Sequence, residues 1–191
     1  DGALLITPYY NKPTQEGLFQ HFSMVAKETD LPIILYNVPS RTSINMQSST
    51  VARLSTIKNI VGIKEASGSL VQVSEIIASC GPDFSVISGE DALTWPILAI
   101  GGKGVISVTA NLVPDKFAKL VQAARSGDVE TAKALHYELL KLNDIMFIET
   151  NPIPVKAALA LMGRIENEFR APLCAPTEEH LSQLKSVLET Y

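Results

Sequence analysis

The chain has 191 residues, 46% of them hydrophobic and 19% charged, with a formal net charge of -4. That supports a sizeable buried core and provides no basic field that would draw in a nucleic acid. The longest apolar runs, such as 31–36, fall well short of the roughly 20 residues that span a bilayer, so no membrane segment is expected.

Taken in chain order, short apolar runs bounded by Gly, Pro, Asn or Ser predict buried strands at 3–7, 32–36, 59–64, 84–88 and 104–107. Between the first of them lie segments with helical spacing: 15–28, with Leu18, Phe22, Val25 and Ala26 on one face, and 69–79, with Leu70, Val73, Ile76 and Ile77. Alternation of this kind marks successive βαβ units on a parallel sheet covered on both faces. Beyond residue 113 the pattern is helical, over 114–125, 129–147, 154–162 and 178–188. Pro114 suits a first helical turn, and Thr177 before Glu178 and Glu179 suits an N-cap. Five strands are too few for a closed eight-stranded barrel, which leaves an open sheet or strands supplied from elsewhere. The chain opens on Asp1-Gly-Ala-Leu-Leu-Ile without the charged start of a signal peptide, and reads as the middle of something longer.

The two cysteines, Cys80 and Cys174, lack metal-like or redox-like spacing and read as buried free thiols in a reducing compartment. His21, His136 and His180 have no ligand-like spacing, so neither metal nor cofactor is expected. Gly101-Gly102-Lys103-Gly104 only superficially resembles a phosphate loop, because no Lys-Ser/Thr pair follows it.

In parallel α/β proteins the working residues gather at the carboxyl ends of the strands. Here those ends carry Tyr9, Tyr10, Tyr36, Lys64, Gly89 and Ser107. Counting by two along the strand places Gly62 and Ile60 on the face of Lys64, with Ile63 and Val61 on the other. An ordinary lysine is less than about 0.1% neutral at pH 7; burial lowers its pKa and makes the amine a nucleophile toward carbonyls. Position alone favours a lysine that snorkels to water or pairs with Glu65, and a Tyr36 whose ring is core and whose hydroxyl is rim. Because Tyr36 and Lys64 end adjacent strands alike, a barrel would converge them on one pocket, a phenol beside an amine. Arg41 lies in a strand-to-loop segment in which Pro39 discourages regular structure. It reads either as a solvated arginine or as a fork for a substrate carboxylate.

The segments Pro8-Tyr9-Tyr10-Asn11-Lys12-Pro13, Tyr36-Asn-Val-Pro-Ser-Arg41-Thr42, Gly62-Ile-Lys64-Glu-Ala-Ser67-Gly68, Ser88-Gly89-Glu90-Asp91, Gly104-Val-Ile106-Ser107 and Asn151-Pro-Ile-Pro-Val-Lys156 together resemble the dihydrodipicolinate synthase family in order and spacing. The resemblance covers the whole chain. It implies an α/β fold, a (β/α)8 TIM barrel represented here by strands 4 to 8 only, with a C-terminal helical domain. Residues 1–126 would form the barrel portion and 127–191 the helical domain. It further implies a cytoplasmic homotetramer that condenses pyruvate with L-aspartate 4-semialdehyde in diaminopimelate and lysine biosynthesis.

On that resemblance Lys64 forms the Schiff base, Tyr36 relays protons, and Tyr10 reaches into a neighbouring subunit's site. Arg41 binds the semialdehyde carboxylate, and the backbone around Gly89 and Ile106 walls the pyruvate pocket. N-acetylneuraminate lyase and keto-deoxy-sugar-acid aldolases share the Tyr and Lys and are the alternative. Arg41 and the Tyr-Tyr-Asn-Lys-Pro segment favour the synthase. The family's first three βα units, with a Thr-Thr pair of the relay, lie outside the sequence. The chain by itself is therefore expected to be poorly active, and a non-catalytic remnant acting as a structural or regulatory partner is the third reading.

Overall fold

The computed structural model describes residues 1–191, which divide into two compact units, Asp1–Ile106 and Ser107–Tyr191. The first unit holds five strands, β1 (Ala3–Ile6), β2 (Ile33–Asn37), β3 (Ile60–Glu65), β4 (Ser85–Ser88) and β5 (Gly104–Val105). They form one parallel sheet in chain order. Helices α1 (Gln15–Lys27), α2 (Pro39–Thr42), α3 (Ser48–Leu54), α4 (Leu70–Ser79) and α5 (Thr94–Ala99) lie between the strands. Strand after strand, parallel and joined through helices, is the construction of a TIM-barrel wall.

Strands β1 to β4 each present one face to a core of Leu18, Phe22, Leu35, Ile63, Val86 and Ile97, among others. Residues of opposite parity, Leu4, Ile6, Ile34, Tyr36 and Lys64, remain partly accessible. The strict count by two along β3 fails at its start. The β2–β3 register shifts between Ile33, opposite Ile60, and Ile34, opposite Gly62. Ile60 therefore joins Ile63 in the core instead of sharing the face of Lys64, as expected where an extra residue interrupts a ladder.

Helix α1 is set by Thr14, whose hydroxyl accepts from the Gly17 N–H, and by the buried stripe Leu18, Phe22 and Ala26. Ser69 caps α4 in the same way, through the Gln72 N–H. Pro39, expected to discourage regular structure, instead opens α2. Its fixed φ and missing N–H suit a first helical turn. Helix α3, which the periodicity does not reveal, is a seven-residue element without a side-chain cap.

In the second unit α6 (Pro114–Ser126), α7 (Val129–Ile145), α8 (Ile153–Leu161) and α9 (Glu178–Leu188) follow a single 3-10 turn. Gly127, at φ 79°, ends α6, and Asp128 caps α7 by accepting from Thr131. Leu112, Leu142, Met146, Val155, Ala158 and Leu184 form the core of this unit. No helix is long and apolar enough to cross a membrane. Both cysteines, expected to be buried, are free thiols that are less covered than that: Cys80, at the end of α4, is partly buried and Cys174, in the segment between α8 and α9, is exposed.

Candidate active site

The parallel register draws one rung across the whole sheet: Ile6 opposite Tyr36, Tyr36 opposite Lys64, Lys64 opposite Ile87, and Ile87 opposite Gly104. Tyr36 and Lys64 are thus direct neighbours on the accessible face, near the carboxyl ends of their strands. The Lys64 Nζ stands 4.2 Å from the centroid of the Tyr36 ring, over its face.

Two glycines allow close approach here, Gly62 that of β4 to β3 and Gly89 that of its own backbone to Lys64. A Cβ on Gly62, two residues before it, would stand 2.5 Å from the Ser85 carbonyl oxygen. A Cβ on Gly89 would stand 2.7 Å from the Ala66 Cβ and 3.1 Å from the Lys64 Cε. The Gly89 N–H donates to the Glu65 carbonyl at 2.8 Å, and the Ile106 N–H to the Ser88 carbonyl at 2.9 Å. Backbone at Gly89 therefore lies beside Lys64, while Ile106 lines the end of the next strand but one, its side chain partly exposed.

Burial lowers the Lys64 pKa, and the nearby negative charge of Asp91 opposes that shift. Burial raises the Tyr36 pKa, which keeps its phenol protonated; the Arg41 charge pulls the other way and Glu90 adds to the rise. Arg41 itself lies on α2, exposed, with its charge felt at Tyr36. Glu90 is pushed toward its neutral form by burial and by the charges of Glu65 and Asp91. An amine biased toward neutrality beside a protonated phenol is the combination that carbinolamine formation and dehydration require.

The structure therefore brings Lys64, Tyr36 and Gly89 together, with Arg41 close enough to bias the phenol, while Ile106 follows β5, two strands from Lys64 on the same sheet. It does not pack Tyr10 against them: this residue is 89% exposed, with its backbone at φ 57°. No three His, Cys, Asp or Glu side chains are grouped so as to hold a metal ion. Sequence reasoning passed over Asn37 and took Glu65 only as a partner for Lys64, whereas its carboxylate is bonded to Asn37, Ser67 and Gln72. Each directly follows a site residue and is buried on the opposite face, at 0% and 2% exposure. Polar residues at core-facing parity are the signal that could have found them.

The model of the dihydrodipicolinate synthetase family matches residues 1–191. The 4-hydroxy-tetrahydrodipicolinate synthase of Nitratidesulfovibrio vulgaris (strain DP4) is 57% identical over 189 residues, covering 98% of this chain and 65% of that protein. The crystal structure of dihydrodipicolinate synthase from Aquifex aeolicus superposes with a TM-score of 0.98 at 48% identity, over 100% of this chain and 66% of that one. The chloride-inhibited dihydrodipicolinate synthase from Acinetobacter baumannii, complexed with pyruvate, gives a TM-score of 0.97 at 43% identity, over 100% and 65%. The chain thus spans about two thirds of the length of the relatives it matches.

Proposed function

Because the chain belongs to the dihydrodipicolinate synthetase family, we propose that it acts as a 4-hydroxy-tetrahydrodipicolinate synthase, condensing pyruvate with L-aspartate 4-semialdehyde through Lys64. The observation that carries this reading is the half-buried Lys64 amine held over the Tyr36 ring at 4.2 Å.

The neutral amine adds to the keto carbon of pyruvate. The resulting carbinolamine hydroxyl takes a proton from the Tyr36 phenol and leaves as water, giving the imine. Loss of a methyl proton gives the enamine, whose carbon attacks the aldehyde carbon of the semialdehyde. The amino group of the semialdehyde then adds to the imine carbon, closing the ring and expelling the Lys64 amine. Arg41 grips the semialdehyde carboxylate with its guanidinium fork, and the backbone at Gly89 and Ile106 walls the pyruvate site.

Tyr10 serves the site of a neighbouring subunit in a homotetramer. Its exposure supports that role. The assembly works in the cytoplasm, in the diaminopimelate and lysine pathway. Identity of 57% to a protein named as the synthase supports the semialdehyde as acceptor over the sugar acids that related aldolases cleave.

The test is a condensation assay of the chain and its Arg41→Ala variant. Slow ring formation from pyruvate and semialdehyde is expected, in keeping with a chain that spans about two thirds of its relatives' length. The variant should lose semialdehyde use by roughly tenfold or more while keeping the pyruvate adduct. Equal loss of both would contradict the role of Arg41. Faster cleavage of a keto-deoxy sugar acid than condensation would overturn the choice of substrate.

A further inference from the structure

Behind the rung that carries Tyr36 and Lys64, on the opposite face of the same two strands, lies a second pair in register, Asn37 opposite Glu65. Both are buried. The Glu65 carboxylate is held by neutral donors. Its Oε1 accepts from the Ser67 N–H at 2.7 Å, and both oxygens accept from the Asn37 Nδ2, at 3.3 and 3.0 Å. Oε2 also accepts from the Gln72 Nε2 at 3.2 Å.

Asn37 in turn closes the neck of the segment that carries Arg41. Its Nδ2 donates to the Asn45 Oδ1 at 2.8 Å, and its Oδ1 accepts from the Met46 N–H at 2.9 Å. Gln72 seals the far side, donating to the Asn45 Oδ1 and the Met46 carbonyl and accepting from the Asn45 Nδ2. The segment from Asn37 to Met46 is therefore closed at its neck, Asn37 being tied to Glu65 of β3 and Asn45 and Met46 being tied to Asn37 and to Gln72 of α4, with Arg41 between.

A buried carboxylate that binds only neutral donors is a costly way to fill a core, and here it fixes one geometry. We infer that Glu65 and Asn37 are positioning residues that set the distance between Arg41 and Lys64, and thereby the affinity for the carboxylated acceptor but not the formation of the pyruvate imine. This rests on the proposed function in that it takes Arg41 to bind the acceptor.

Glu65→Gln keeps the shape but places an NH2 group against the Ser67 N–H or against the amides of Asn37 and Gln72, which are all donors. Asn37→Asp sets one carboxylate against another. The double variant Asn37→Asp/Glu65→Gln exchanges acid and amide and restores a donor facing an acceptor across the rung. Each single variant should raise the KM for aspartate semialdehyde by roughly tenfold. Borohydride trapping of pyruvate on Lys64 should stay within about twofold of the unsubstituted chain, and the double variant, which restores the bond across the rung but not that from position 37 to the Asn45 Oδ1, should recover part of the loss. Trapping that falls in step with condensation, an unchanged KM, or no recovery in the double variant would overturn the proposal.

Where Asn37→Asp does not fold, Gln72→Met, which removes only the outermost donor, is expected to raise the same KM by roughly threefold. Hydrogen exchange provides a readout independent of catalysis. In Glu65→Gln the amides of Arg41, Thr42, Ser43 and Met46 should exchange at least about tenfold faster while those of β3 keep their protection. Uniform acceleration would show a merely structural role. If the unsubstituted chain forms no pyruvate adduct, the catalytic reading fails, and this exchange pattern still decides whether the bracket holds the loop.

Discussion

Replacing Gly89 with Ala adds one methyl group at the closest point behind the nucleophile. The new Cβ would stand 2.7 Å from the Ala66 Cβ and 3.2 Å from the Glu65 carbonyl oxygen, against the 3.5–4.0 Å or so at which carbon atoms normally rest. Gly89 does not have a positive φ, so the substitution tests space alone. The Ala66 methyl cannot rotate away, and the Ala66 N–H is tied to the Asn37 carbonyl at 2.9 Å; relief has to come from backbone movement. Overpacking of this kind costs about 1–3 kcal/mol, or roughly 2–10 °C in Tm for a chain of this size. The third contact, at 3.1 Å, is with the Lys64 Cε. That flexible end can yield at little cost in stability, but yielding moves the amine from its place over Tyr36. Denaturant melts combined with borohydride trapping should therefore show a modest loss of stability and at least about a tenfold loss of trapping rate. Unchanged stability and unchanged trapping would refute the claim that this glycine makes room for the lysine.

Gly62→Ala should be the more damaging change, because its Cβ meets the Ser85 carbonyl of the paired strand at 2.5 Å. A loss of about 3 kcal/mol or more is expected in the same melts, and a smaller loss than for Gly89→Ala would contradict the ordering. The pH dependence of trapping follows from burial of Lys64. The reactive amine is the neutral form, so the rate should rise with pH through a midpoint below the ordinary value of about 10.4. Asp91→Asn removes a charge that favours the ammonium and should shift that midpoint further down; a shift upward would reverse the assigned electrostatics.

The strands were legible in the sequence as compact apolar runs such as 32–36 between turn residues, apolar on both faces although the face of Leu4, Ile6, Tyr36 and Lys64 stays partly accessible here. Lys64 and Tyr36 could be paired because both close such runs. The short helices could not be read: α2 and α3 carry too few residues to show a period, and neither has a side-chain cap. Nor could the parity of Ile60, because the register shift opposite Ile33 and Ile34 is a property of the β2–β3 pairing and not of β3 alone. Asn37 and Glu65 were visible as polar residues at core-facing positions. What they hold became apparent only once chain folding brought Asn45 and Gln72 beside them.

The central claim is that Lys64 is the amine that takes up pyruvate. The direct measurement is borohydride reduction of the chain with pyruvate, followed by intact mass and peptide mapping, alongside Lys64→Arg. One reduced pyruvate adduct mapped to Lys64 and absent from the variant is the expected result. A folded chain that takes up none, or a variant that is still labelled, would contradict it.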